Sequence, residues 1–204
     1  TAYGMSAGLV GSERCIGDRS VNTPAEDDKR WQEEEDAVPL READSSGFRE
    51  LAARANYLAL DRLDIQYATK EVCRGMSAPT KGRLRRLRRL ARYLIGTPRM
   101  IVYYRWQGLQ EKARGFSDSD YAGCLKTAKS TSGGVLMIGQ HYIKSWSSTQ
   151  KTVALSTAEA ELTALAKCSC ELIGILQMAA EWNLPLQGEL FADSSAALGV
   201  VGRK

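Results

Sequence analysis

Three carboxylates lie where predicted strands and a predicted helix bring side chains to one point. Asp118 and Asp193 each directly follow a short apolar strand, and Glu161 lies in the first turns of a long helix. Mg²⁺ is a hard cation that prefers carboxylate oxygens, and Mn²⁺ accepts the same ligands. A pair of such ions, about 4 Å apart, can activate water and stabilise a leaving oxygen in phosphodiester hydrolysis. The pattern therefore predicts a site for two Mg²⁺ or Mn²⁺ ions.

Two of these carboxylates have a competitor close by in the sequence. Asp120 would share a side with Asp118 if the strand continued, but only Asp118 directly follows the apolar run, so we expect Asp120 to be a turn residue. Glu159 and Glu161 lie roughly 90° and 70° from the centre of the helix's apolar stripe, at about 100° per residue. That difference does not decide between them. Ser156 and Glu159 match a capping box, which gives Glu159 a structural role.

Residues 109–204 alternate between strand and helix patterns, and this alternation predicts the elements that carry the carboxylates. The order β-β-β-α-β-α predicts a mixed α/β fold, in which a sheet is flanked by helices. The predicted elements are strands Leu109–Ser117, Gly133–Ile138 and Tyr142–Ser147, helix Thr157–Glu181, strand Glu189–Ala192 and helix Ser194–Val200.

Residues 46–108 have a different character and predict a small helical segment. Ser46 and Asp64 stand where they could cap a first and a second helix. The third helix, at 80–96, has apolar residues at steps of three and four. Met100–Trp106 is rich in β-branched and aromatic residues, which favours a strand.

The third helix is strongly basic, and two interpretations of its charge stay open. It contains six arginines and no acidic residue, so these side chains repel one another unless an anion lies opposite. They form either a solvated face of a packed helix or a surface that contacts nucleic-acid phosphates. Among them we single out Arg85 and Arg89 as candidate nucleic-acid contacts. Thr80 is the expected cap.

The remaining composition limits the class of protein. The 204 residues carry a net charge of +4, and residues 1–45 are rich in Gly, Ser and acidic side chains, which predicts a linker or, alternatively, an acidic interaction tail. No apolar run approaches 18 residues, so we expect no membrane span. Five scattered cysteines without a Cys-x-x-Cys pair favour reduced thiols in an intracellular compartment and argue against zinc.

Several motifs in the same order resemble the ribonuclease H domain of copia-type retrotransposon Pol polyproteins. The resemblance covers about residues 46–204, and its upstream part is similar to the segment that joins the reverse transcriptase to ribonuclease H. The motifs are Phe48-Arg-Glu-Leu51, Tyr57-Leu-Ala-Leu-Asp-Arg-Leu-Asp-Ile65, Arg92-Tyr-Leu-Ile-Gly-Thr97, Gly115-Phe-Ser-Asp-Ser-Asp-Tyr-Ala-Gly123, Lys129-Ser-Thr-Ser-Gly133, Ser145-Trp-Ser-Ser148 with Gln150, Leu155-Ser-Thr-Ala-Glu-Ala-Glu-Leu162 and Phe191-Ala-Asp-Ser-Ser-Ala-Ala197.

The resemblance implies a ribonuclease H-like fold and hydrolysis of the RNA strand of RNA–DNA hybrids, next to the polymerase part of the polyprotein. It selects Asp118, Glu161 and Asp193 as the carboxylates that bind two Mg²⁺ ions. Three polar residues in the matching motifs are candidates to contact the hybrid's backbone or 2′-hydroxyls, and a structural role in a hairpin or loop is the favoured alternative for each; they are Lys129, Ser130 and Gln150.

Two departures from the family pattern define an alternative function. The family's fourth carboxylate lies past the helix that begins at Ser194 and does not occur in these 204 residues, and no Tyr-x-Asp-Asp polymerase motif occurs either. The first hypothesis is therefore a metal-dependent ribonuclease H domain with its connector. The second is a catalytically inactive remnant that binds nucleic acid.

Overall fold

The computed structural model describes residues 19–26, 37–124, 126–194 and 199. The chain divides into two compact units, Thr1–Ile101 and Val102–Lys204. The helix predicted over Ser194–Val200 lies outside the described residues apart from its first residue and residue 199.

Unit 1 contains the three predicted helices with different starting points. They are α1 (Glu42–Leu58), α2 (Gln66–Cys73) and α3 (Lys81–Gly96). The prediction that Ser46 caps α1 is wrong, because the helix already begins after Arg41. Its first turn contains Glu42 and Asp44, whose negative charges favour a helix N-terminus. The helix thus starts without a capping hydroxyl and with two acidic residues in its first turn.

The prediction that Asp64 caps α2 is wrong, because its carboxylate has other hydrogen-bond partners. The residue lies in a short 3₁₀ turn, Leu63–Ile65, and no side chain caps α2. Two nitrogens of the buried Arg62 guanidinium donate to the Asp64 oxygens at 2.9 and 2.7 Å, and the Tyr93 hydroxyl donates at 2.8 Å. Burial alone would raise the pKa of Asp64, but these hydrogen bonds outweigh it and lower that pKa.

The helices of unit 1 enclose two clusters of buried apolar side chains. Phe48 and Leu87 centre one, and Ile65, Leu90 and Leu94 centre the other. Thr80 caps α3 as predicted, because its hydroxyl accepts a hydrogen bond from the Arg83 amide at 3.3 Å. The apolar stripe on α3 faces the core as the sequence indicated, with the exception of Ile95, which is exposed.

The prediction of an unpacked linker over 1–45 is wrong for its described parts. Val21 and Ala25 pack against the second apolar cluster, and α1 already begins at Glu42. Among the described acidic residues of this region, Glu26 pairs with Arg85 and Arg89 of α3.

Unit 2 is a mixed α/β unit with one four-stranded sheet. Strands β1 to β3 form an antiparallel meander, and β4 pairs in parallel with β1, so that the order across the sheet is β3-β2-β1-β4. A parallel pair needs a long crossover, which the helix between β3 and β4 provides. The elements are β1 (Lys112–Asp120), β2 (Thr131–Ile138), β3 (His141–Thr149), α4 (Thr157–Glu181) and β4 (Gln187–Ala192).

Helix α4 covers one face of this sheet. Its Cys168 and Leu172 are buried with Ala113 and Leu136 of the strands. Gly134 leaves room for the Trp146 ring, because a Cβ at that position would overlap the ring. By length and composition α4 also qualifies as a membrane-spanning helix, whereas none was expected from the sequence. Its packing on the sheet is that of the core helix of an α/β unit.

The strand predicted over Met100–Trp106 is wrong. These residues have no regular secondary structure, and Trp106 is 97% exposed. High β-propensity expresses how well a side chain fits a half-buried pleated surface, and within the described residues no strand pairs with this segment.

Candidate metal centre

Two of the three predicted carboxylates are brought together by the parallel pairing of β1 and β4. Ser117 is paired with Ala192, so the next residues, Asp118 and Asp193, lie side by side at the same edge of the sheet. Neighbouring strands are about 4.8 Å apart. β1 runs through Asp120, so the expectation that this strand ends before Asp118 is wrong, although the carboxylate lies where it was predicted.

Helix α4 supplies the third carboxylate, and its first turn fixes which glutamate faces the sheet. The Ser156 hydroxyl accepts from the Glu159 amide at 3.2 Å, and the Glu159 carboxylate accepts from the Leu155 amide at 2.7 Å. Glu159 therefore caps the helix on its exposed side, as the capping box predicted. Glu161 is 8% exposed and points to the sheet.

The three carboxylates form one group that can hold a metal ion. Asp118, Glu161 and Asp193 each offer an oxygen, and these atoms lie within 4.8 Å of one another. Asp118 and Asp193 are exposed, so the group opens to solvent on one side. Asp120 is not a member, since its carboxylate lies against the turn at Gly123, where a Cβ would overlap it. The side chain at 118, and not its neighbour at 120, completes the group.

The two oxygens of Glu161 have different surroundings. This difference shows whether the three carboxylates suit a cation. Oε1 accepts from the Ser119 amide at 3.2 Å and from the Ser119 hydroxyl at 2.7 Å. Oε2 is buried and has no hydrogen-bond partner among the described residues. A buried carboxylate oxygen without a donor is unfavourable unless a cation binds it. The donor set, all carboxylate oxygen, is what Mg²⁺ and Mn²⁺ prefer, so the residues fit such an ion.

Gln150 fixes the position of α4 over the sheet. Its side-chain amide donates to the Ala160 carbonyl at 2.9 Å and to the Ser132 hydroxyl at 3.0 Å, and its own backbone amide donates to the Ser130 carbonyl at 2.8 Å. The side chain thus joins β2 to the helix turn that carries Glu161. Ser119 contacts the Glu161 carboxylate, and Gln150 contacts the backbone one residue before it.

Ser130 is fully buried and also has a structural partner, since its hydroxyl accepts from the Ala122 amide at 3.1 Å. Lys129 next to it is half-buried. Contact of Lys129, Ser130 and Gln150 with a hybrid stays a prediction, and the hydrogen bonds of the last two give them roles inside the unit.

Comparison with known proteins identifies the family. The Pol polyproteins of transposons RE1 and RE2 of Arabidopsis thaliana are each 35% identical to this chain over 144 residues, which is 70% of the chain and 10% of each polyprotein. The chain belongs to the Pol polyproteins of copia-type retrotransposons. The uncharacterized mitochondrial protein AtMg00810 of the same plant is 39% identical over 130 residues, 63% of the chain and 53% of that protein. No family model matches the chain, and no solved structure matches it significantly.

This Pol segment spans only about a tenth of the length of the two polyproteins.

The arginines of helix α3 form ion pairs with acidic residues elsewhere in unit 1. Arg89 is 2.5 Å from the Glu26 carboxylate and Arg85 is 3.9 Å from it. Arg83 and Arg86 approach the buried Glu71 at 3.8 and 4.0 Å. These pairs were not predicted, because their acids lie outside the helix. Contact of Arg85 and Arg89 with phosphate stays a prediction.

Ser119 is the residue of the Pol segment's site that sequence reasoning missed. A signal for it was present, because side chains alternate along a strand. A residue between Asp118 and Asp120 faces the side of the sheet that carries the helix, and there a serine can donate to a carboxylate. The residue type and the alternation together indicate such a contact once the helix is placed over β1.

Proposed function

We propose that the Pol segment is a ribonuclease H-type domain that hydrolyses the RNA strand of RNA–DNA hybrids during reverse transcription inside the cell. The supporting observation is the convergence of Asp118, Glu161 and Asp193, whose oxygens lie within 4.8 Å of one another, with one Glu161 oxygen buried and unpartnered. The mixed sheet, with β4 added in parallel beside β1 through a helix, is consistent with a ribonuclease H-like fold.

Divalent ions bound here would supply an activated water and stabilise the leaving oxygen of a phosphodiester. The residues of the chain hold those ions. Asp118 and Asp193 are exposed and open toward solvent, where a nucleic-acid backbone can approach, while Glu161 closes the site from the helix side. Ser119 and Gln150 keep Glu161 in place. The polymerase part of the polyprotein would be the neighbour that supplies the hybrid.

A cleavage assay with a matched pair of variants tests this proposal. RNA labelled at one end and annealed to DNA is incubated with the full chain and Mg²⁺ or Mn²⁺. Asp118→Asn should lower cleavage more than about 100-fold, because residues that only support a metal ligand already cost up to that factor. Asp120→Asn, two residues away on the same strand, should cleave like the wild type.

The outcome that contradicts this proposal is equal loss in both aspartate variants, or cleavage that persists without a divalent ion. No cleavage by the wild-type chain, with hybrid binding retained, would favour the alternative, a catalytically inactive domain that binds nucleic acid. This alternative is supported by the arginine-rich helix α3.

The predicted phosphate contacts of α3 have a separate test. If Arg85 and Arg89 each contact one phosphate, their joint replacement by alanine should lower the slope of log affinity against log salt for a hybrid by about 2. The matched control replaces Arg41 and Arg54, which pair with Asp44 and Glu50 on exposed turns of α1. Equal slopes in both double variants would assign α3 a structural role only.

A further inference from the structure

Asymmetry between the two oxygens of Glu161 is the observation that extends the proposed site. Oε1 already accepts two hydrogen bonds, from the Ser119 amide and the Ser119 hydroxyl, at 3.2 and 2.7 Å. Oε2 accepts none within the described part of the chain and is buried. A carboxylate can bind a cation through one oxygen or through both. Only Oε2 therefore has lone pairs that do not accept a hydrogen bond from a described residue.

Position 119 is suited to this contact by the geometry of β1. Along the strand the side chains alternate, so that Asp118 is exposed, Ser119 is half-buried and Asp120 is exposed. Ser119 therefore lies on the side covered by α4, where its hydroxyl reaches the Glu161 carboxylate. The hydroxyl gives the shorter of the two hydrogen bonds to Oε1, and it orients the carboxylate in a way that an apolar side chain at 119 cannot.

The serine is itself held by its neighbours. Ser119 is paired with Ser132 across β1 and β2, and the Ser132 hydroxyl accepts from the Gln150 side chain at 3.0 Å. The same Gln150 nitrogen donates to the Ala160 carbonyl, one residue before Glu161. The Ser119 hydroxyl and the Glu161 carboxylate thus belong to one set of contacts that joins β1, β2 and the first turns of α4.

We propose that Ser119 is a positioning residue, which occupies Oε1 of Glu161 and so presents Oε2 as the single metal-binding oxygen of that side chain. This inference rests on the proposed metal centre and adds to it a named residue and the way in which Glu161 binds. It does not depend on whether the bound ion is used for hydrolysis of RNA.

The test measures metal binding directly. Calorimetric titration of the full chain with Mn²⁺ should show about tenfold weaker binding in Ser119→Ala, the lower end of the range for residues that support a metal ligand, because the Ser119 amide still donates. Ser119→Thr keeps the hydroxyl on a side chain that suits a strand and should restore wild-type affinity. Ser148→Ala is the matched control, since its hydroxyl contacts Lys167 on the same side of the sheet but no carboxylate of the site.

Thermal unfolding without metal separates positioning from folding. Ser119→Ala and Ser148→Ala should have similar midpoints, so that only the Mn²⁺ affinity distinguishes them. Unchanged Mn²⁺ affinity in Ser119→Ala overturns the proposal, as does a wild-type chain that binds no Mn²⁺. If the wild type binds Mn²⁺, Ser119→Ala binds it more weakly and neither cleaves a hybrid, the positioning role holds and the proposed hydrolytic function fails.

Discussion

Glu161→Gln should remove both metal-dependent cleavage and the stabilisation that metal binding gives to the chain. Glutamine has the same shape, and its carbonyl oxygen can still accept from Ser119, so the fold should be retained. Its amide nitrogen then stands where the unpartnered oxygen was, and a nitrogen that carries two hydrogens cannot bind a cation. At Mn²⁺ concentrations near 100 times the dissociation constant, the wild type should gain about 2.7 kcal/mol in free energy of unfolding. The variant should gain none.

Glu159→Gln is the control for this prediction. It lies two residues earlier on the same helix, on the exposed side, where it accepts from the Leu155 amide. Urea unfolding with and without Mn²⁺ should show the full metal-dependent gain in this variant. A gain that survives in Glu161→Gln, or disappears in Glu159→Gln, would show that the wrong glutamate was assigned to the ion.

Glu71→Gln should destabilise unit 1 by about 3 kcal/mol or more. The Glu71 carboxylate is buried and lies within 4.0 Å of Lys70, Arg74, Arg83 and Arg86, all largely buried themselves. Removal of one partner from a buried ion pair typically costs about 3–5 kcal/mol, because the remaining charges stay buried without compensation. Urea unfolding of the full chain measures this loss. Glu50→Gln, which affects an exposed pair with Arg54, should cost about 1 kcal/mol or less.

The same residue predicts a pH dependence. Burial alone would raise the pKa of Glu71, but the charges of Lys70 and Arg74 and a hydrogen bond from Lys70 outweigh it, so the pKa lies below the usual 4.5. A lowered pKa contributes stability above the unfolded-state value, and this contribution is lost as the pH falls through the folded-state value. The wild type should therefore exceed Glu71→Gln in stability at neutral pH, and the difference should shrink below about pH 4.5. A constant difference down to pH 3 would contradict this.

The three carboxylates of the candidate metal centre could be predicted because each follows from a local pattern. Asp118 and Asp193 end apolar stretches, and the capping box at Ser156 places Glu161 one turn into a helix whose bounds, Thr157–Glu181, agree with the prediction. The alternation of side chains along a strand and the period of a helix are properties of consecutive residues. They are therefore the same in any fold that contains these strands and this helix. The family pattern was still needed to choose Glu161 over Glu159.

Features that depend on residues far apart in the sequence were missed. The pairing of Arg89 with Glu26 spans 63 positions, and no rule of spacing connects the two residues. The exposed segment at Met100–Trp106 has strand-forming residues but no partner strand, and a partner is a property of the sheet and not of the segment. The same holds for Ser119, whose role appears only when α4 lies over β1.

The crossover from β1 to β4 brings distant parts of the chain together at the candidate metal centre. Asp118 and Asp193 are roughly 75 positions apart in the chain and are adjacent in the sheet, with Glu161 between them in sequence. An ion that joined all three would link both ends of the crossover and its middle, and this link would last only while the ion is bound. After a cut in the turn between β1 and β2, a bound ion would add one more link between the two pieces, beside the pairing of β1 with β2 and β4.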